Sequence, residues 1–172
     1  MLKKYIVFAL LIFAACNKSE NPVNNNNINT NPTGSFTVNI EGNAWAANQN
    51  AVFASSSTTD TITVLLITAA QNIGTSGADG FGISVTKIGG SNTILTGQYM
   101  LDGSVPAALT FVRTISNVSE SYAAISGQVT ISEVTSTHIK GTFNAVLREL
   151  TDPNKQITLT NGAFNALITV QQ

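Results

Sequence analysis

Charge is what this chain has least of. Only 10% of its residues are Asp, Glu, Lys or Arg, and the formal net charge is -1. No basic stripe is present to neutralise phosphates, so nucleic acid is excluded as a partner. The single histidine cannot build a metal site alone, and the single cysteine cannot close an internal disulfide. No cofactor is expected. The segment Gly74-Thr75-Ser76-Gly77-Ala78 falls short of a nucleophile elbow, since Ala78 stands where the second glycine belongs and no strand-turn-helix pattern surrounds it. The uncharged polar residues are Asn, Ser, Thr and Gln, which suit the solvated face of a β-sheet better than a helix surface.

The first fifteen residues are built differently from the rest. Lys3 and Lys4 give a positive start, Tyr5 to Phe13 is an unbroken apolar run, and Ala14-Ala15 are small residues beside Cys16. This is the layout of a secretory signal peptide. The run is well short of the about 20 residues that a membrane-spanning helix needs. Phe13-Ala14-Ala15-Cys16 resembles a bacterial lipobox, with Phe13 in place of the usual Leu. That resemblance implies diacylglycerol on the Cys16 sulfur, removal of residues 1–15, and acylation of the new amino group. Loss of Lys3 and Lys4 leaves the mature chain slightly more acidic. A lipidated Cys16 also avoids a free thiol in an oxidising compartment. Each buried methylene contributes about 0.8 kcal/mol, so two or more acyl chains hold where one alone is marginal. The membrane partner is reached through that anchor.

Residues 16–33 form the lipidated cysteine and a tether. Asn17 to Thr33 has almost no apolar residues, a run of Asn and two prolines, so it cannot offset the entropy of ordering itself. As a random coil it would hold a domain on the order of 20–25 Å from the lipid, and about 60 Å when stretched. Lys18-Ser19-Glu20 resembles, with one acidic residue only, the export tags of Bacteroidota surface lipoproteins. The expected location is the outer membrane; the sequence leaves the periplasmic and surface-facing leaflets equally open.

From Gly34 to Gln172 the pattern predicts one all-β domain. Phe36-Val38-Ile40, Phe81-Ile83-Val85, Val129-Ile131, Ile139-Gly141-Phe143-Ala145 and Phe164-Ala166-Ile168-Val170 each alternate with polar or small residues, as half-buried antiparallel strands do. Ile62 to Ile67 is apolar at nearly every position and predicts a strand covered on both faces. Turns are expected at Glu41-Gly42-Asn43, Gly74 to Gly80, Gly89-Gly90, Asp102-Gly103, Asp152-Pro153-Asn154 and Asn161-Gly162. No window carries a sustained helical stripe. An antiparallel β-sandwich is the expected architecture, with a partly closed up-and-down barrel as the alternative.

Ser35-Phe36-Thr37-Val38-Asn39-Ile40-Glu41-Gly42-Asn43-Ala44-Trp45 resembles the opening of a group of Bacteroidota lipoprotein domains of unknown function: a strand, a glycine turn, then a tryptophan. Gly127-Gln128-Val129-Thr130-Ile131, Ile139-Lys140-Gly141-Thr142-Phe143 and Ile157-Thr158-Leu159-Thr160-Asn161-Gly162-Ala163-Phe164 resemble that group too. Residues 47–122 carry no diagnostic match. The resemblance implies architecture and location and assigns no chemistry.

Candidate chemistry is sparse. His138, in Thr135-Ser136-Thr137-His138, reads as a hairpin-turn residue without a visible partner or cleft. Glu41, Asp60, Asp79, Asp102, Glu120, Glu133, Glu149 and Asp152 are scattered, whereas a glycosidase needs two carboxyls facing one cleft. Asp79-Gly80 and Asp152-Pro153-Asn154 read as turns rather than calcium loops, lacking dense oxygen-ligand spacing. No catalytic or metal residue is therefore assigned. Trp45 is read as a core plug that could instead stack on a sugar, with Tyr99 and Tyr122 as the next candidates for an exposed contact. Asp60-Thr61-Ile62 resembles a Bacteroidota O-glycosylation acceptor, with Thr61 as the modified residue. The function expected is a non-catalytic binding or accessory lipoprotein whose partner is a glycan or an envelope protein. The alternatives are a structural component of an envelope complex and a small carboxylate-dependent hydrolase.

Overall fold

The computed structural model describes residues 33–59, 61–75, 77–89, 96–104, 106–116 and 118–169. Cys16, the expected signal peptide, nearly all of the expected tether, Asp60 and Val170 lie outside the described residues. The domain is all-β and, with one short exception, antiparallel. Its strands are β1 (Ser35–Ile40), β2 (Asn43–Ala46), β3 (Val52–Thr59), β4 (Ile62–Gln71), β5 (Asp79–Ile88), β6 (Gly97–Met100), β7 (Ala107–Ile115), β8 (Val118–Val134), β9 (His138–Glu149) and β10 (Gln156–Ile168). A 3-10 turn, Gln49–Ala51, leads into β3. Among the described residues no helix is long and apolar enough to cross a membrane.

Three long strands organise the sheet. β9 lies between β8 and β10 and pairs with both along nearly its whole length. The other edge of β8 is shared, Val118 to Ala123 pairing with β7 and Gln128 to Ile131 with β6. The other edge of β10 is likewise shared between β1 and β3. Following the ladders from β3 through β4, β5, β7, β8, β9 and β10 leads back to β3. The closing step is only Leu167↔Phe53 and Ile168↔Ala54, and it is parallel. The sheet is thus partly ringed without being a barrel, between the two architectures expected, with β1, β2 and β6 outside the ring.

Alternation places the core on the inner face. β9 buries every second residue from Ile139 to Glu149, and β1 buries Phe36, Val38 and Ile40. Phe36 on β1 stacks on Phe81 of β5 with centroids 5.2 Å apart, although no ladder joins those strands. The sheet therefore folds over on itself, and Phe111, Phe143, Phe164 and Trp45 extend the aromatic cluster. Offset and edge-to-face aromatic pairs of this kind add about 0.5–1.5 kcal/mol each beyond the area they bury.

Two local expectations are corrected. Ile62 to Ile67 is not covered on both faces: Ile62 is exposed, Val64 and Leu66 are half-buried, and Thr63, Leu65 and Ile67 are buried. β3 and β5 protect the edges of β4, but its outer face carries no full covering layer. Asn161-Gly162 is not a hairpin turn; it lies inside β10. Asn161 has φ 54°, and the β9 register shifts between Leu159 and Gly162, so the pair forms a bulge.

Ends of the domain are set by strand direction. β1 starts opposite Asn165 and finishes opposite Leu159, running away from the end where β10 stops. The β1–β2, β4–β5, β7–β8 and β9–β10 turns gather at the far end. The β3–β4 and β8–β9 turns lie at the end where β1 begins.

Candidate functional site

At the far end the inner faces of four strands carry polar residues in register. Gln71 on β4 is opposite Asp79 on β5, Asp79 opposite Arg113 on β7, and Arg113 opposite Glu120 on β8. Each strand arrives there at the end of a core-facing alternation, so these side chains close off the core instead of facing bulk solvent. Asp79 is buried. Its Oδ2 accepts from Trp45 Nε1 at 3.3 Å and from Gln71 Nε2 at 3.1 Å, and its Oδ1 lies 3.8 Å from Arg113 Nε. The Arg113 guanidinium sits 5.2 Å from the Phe111 ring centroid. Asp79 is therefore an internal tie across four strands, not a turn residue available to calcium.

Beside this tie, Glu120 accepts from the Tyr122 hydroxyl at 2.7 Å and pairs with Lys155 from the β9–β10 turn. The hydrogen bonds from Lys155 and then Tyr122 hold the Glu120 carboxyl below the usual carboxylate range. The Lys155 ammonium is pushed up by Glu120 first and Tyr122 second. Burial, then the bond to Glu120, raises the Tyr122 phenol. Glu149, also buried, accepts from Thr151 Oγ1 at 2.8 and 3.0 Å and from the Asp152 amide. A depression of about 150 Å³ opens at this end, lined by Ile40, Glu41, Asn43, Ala44, Trp45, Arg113 and Ile157.

A second cluster lies on the β8–β9 hairpin. His138 Nε2 is 2.8 Å from Glu133 Oε1, and Lys140 Nζ is 3.1 Å from Glu133 Oε2. His138 therefore has a partner, and it is half-buried, not a freely solvated turn residue. Thr135 Oγ1 lies 3.2 Å from His138 Nδ1, an order of hydroxyl, imidazole and carboxylate that resembles a relay. That hydroxyl already accepts from the amides of Thr137 and His138, which makes it the organiser of the turn. The two bonds to Glu133, from His138 and then Lys140, keep its carboxyl below the usual range.

A third feature is a broader depression of about 320 Å³ on the outer face of β8, β9 and β10, lined by Gln128, Thr130, Thr142, Phe143, Asn144, Asn161, Gly162 and Ala163. None of these side chains is ionisable, and the depression sits on the β10 bulge.

The candidate residues from the sequence are not brought together. Trp45 is a core residue, held by Asp79 and edge-on to Phe81. Tyr122 is not an exposed contact: it is 2% exposed, because the alternation of β8 turns its ring inward against Phe111. Tyr99 is half-buried on β6 and packs against the core. Thr61 is exposed at the β3–β4 turn. The tie between Asp79 and Arg113 had no local signal, since it joins strands far apart in sequence. Glu133 and Lys140, in contrast, flank the predicted Thr135–Thr137 turn at spacings a hairpin brings into register.

No family model, curated protein or solved structure matches the chain.

Proposed function

We infer that this chain is a lipid-anchored envelope lipoprotein, held in the outer membrane through Cys16, whose β domain is a non-catalytic binding or accessory module. The supporting observation is the direction of β1. β1 starts at one end of the domain, while four turns gather at the other. The four turns and the flank of the sheet are the surfaces the domain offers to a partner. The state of the carboxylates fits the same reading. Asp79, Glu120 and Glu149 are each occupied by internal donors, and Glu120 and Glu133 are held below the usual range, the opposite of what a general acid requires.

Metabolic labelling with an alkyne fatty-acid analogue tests the anchor. Label is expected on the wild-type chain in outer-membrane fractions and absent from Cys16→Ala. A mature protein that begins at another residue, or carries a bare thiol at Cys16, overturns the reading.

Four exposed aliphatic residues, Ile73, Ile115, Val118 and Leu150, lie at or beside the far turns and favour a second reading, a structural component of an envelope complex. A stable protein co-purifying with the lipidated chain, and lost in Ile115→Ser/Val118→Ser, separates that reading from the first.

A further inference from the structure

We propose that the depression on the outer face of β8, β9 and β10 is a binding site for a short neutral saccharide. The proposal rests on the binding-module reading and names the ligand class and the surface.

The lining chemistry selects the ligand. Gln128 and Asn144 each offer a carbonyl acceptor and an amide donor on one planar group, and Thr130 and Thr142 add hydroxyls. Adjacent sugar hydroxyls, each both donor and acceptor, are the natural complement to such a set. Among the described residues no ionisable side chain lines the depression, so a uronate or phosphate would meet no counter-charge there and a cation no carboxylate.

The backbone supplies the shape. The bulge at Asn161-Gly162 interrupts the even surface of β10, with Asn161 in the left-handed region at φ 54°. The remaining contacts stand on the long strands β8 and β9, which hold side chains more precisely than turns do. Its volume, about 320 Å³, is at the lower end of small-ligand sites.

The test titrates the isotope-labelled full mature chain, in detergent, with neutral gluco-, manno- and xylo-oligosaccharides and with their uronate counterparts. Amide and side-chain shifts are expected at Gln128, Thr130, Thr142, Asn144 and Asn161 with at least one neutral series. Binding should be at least tenfold weaker in Gln128→Ala/Asn144→Ala, whose outward side chains can be removed without opening the core, and unchanged in Ser57→Ala on β3. Preference for uronates, shifts confined to the far turns, or affinity unaffected by the double variant overturns the site. So does the absence of binding by any oligosaccharide to a folded protein. If a protein partner co-purifies with the lipidated chain and is retained in Ile115→Ser/Val118→Ser, the binding-module reading survives that failure.

Discussion

Phe143 on β9 and Gly162 on β10 are cross-strand partners, and the Phe143 ring occupies the space a side chain on Gly162 would need. A Cβ built there would lie 2.6 Å from Phe143 Cε1 and Cζ. Two residues along the same ladder the arrangement is reciprocal: Phe164 is the partner of Gly141, and a Cβ there would meet Phe164 Cζ at 2.4 Å and the Thr130 carbonyl at 2.3 Å. Two rings thus lie flat over two glycines on the inner face, which lets β9 and β10 carry large aromatics without forcing the layers apart. Gly141→Ala should be the worse substitution, since one of its contacts is backbone and cannot swing away. A loss of about 1–3 kcal/mol is expected from the overpacking, read as a lower midpoint in denaturant with an unchanged slope. A midpoint equal to wild type would mean that the strands can separate freely there.

The Asp79 tie predicts a different kind of loss. Asp79→Ala removes an acceptor shared by Trp45 and Gln71 and leaves the Arg113 guanidinium beside the core without its carboxylate. A loss of about 1–3 kcal/mol is expected for buried donors left unsatisfied, while Trp45→Phe, which deletes one donor and keeps the ring, should cost less. Trp45 is the only tryptophan, so its fluorescence in Asp79→Ala reports the loosening directly, as a shift of emission to longer wavelength. Unchanged stability and emission would show that Asp79 is not the tie described.

Acid stability follows from the carboxylates held low. Glu120 and Glu133 have ordinary values of 4.5, and both lie below that in the folded protein. A group lowered on folding contributes stability that is fully present above its unfolded value and disappears as pH falls through the folded one. Lys155 is raised from 10.5, so its contribution is fully present below that value and is lost as pH rises through the folded one. Stability should therefore decline below about pH 4.5 and again above about pH 10.5. Glu120→Gln should flatten both limbs, because it removes the partner that shifts Lys155. These groups are partly solvent-exposed, so the effect should shrink at high salt. Limbs identical to wild type in Glu120→Gln would remove the pair from the account.

The strands of β1, β5, β9 and β10 were legible because each alternates large apolar residues with polar or small ones over a half-buried sheet. β3 and β7 were not: Ser55 to Thr59 has no apolar face, and Ala107 to Ile115 hides its alternation behind small residues. Thr63 shows how context overrides composition. It is buried in hydrogen-bonding distance of Thr58, at 3.1 Å, while its neighbour Ile62 faces solvent. The clusters were less legible still, because Asp79, Arg113 and Trp45 meet only once four separate ladders are in register. The depression was illegible for another reason: Gln128, Thr142 and Asn144 read as ordinary solvated positions until the bulge places them round one hollow.

That bulge makes the last prediction. Asn161-Gly162 looks like a two-residue hairpin turn, since both residues tolerate the left-handed region that such turns require. In β10 only Asn161 uses it, at φ 54°, to absorb one extra residue while pairing with β9 resumes at Gly162. Asn161→Gly should be neutral for the fold, because glycine enters that region without penalty. Asn161→Val should cost about 1–3 kcal/mol, since a β-branched side chain is strained there. The two variants also separate conformation from contact at the proposed saccharide site. Asn161→Gly keeps the bulge and loses only the amide, so ligand affinity should fall modestly while the melting temperature holds. Asn161→Val should lower both, and a variant with full stability and full affinity would show that the bulge neither needs its left-handed residue nor shapes the hollow.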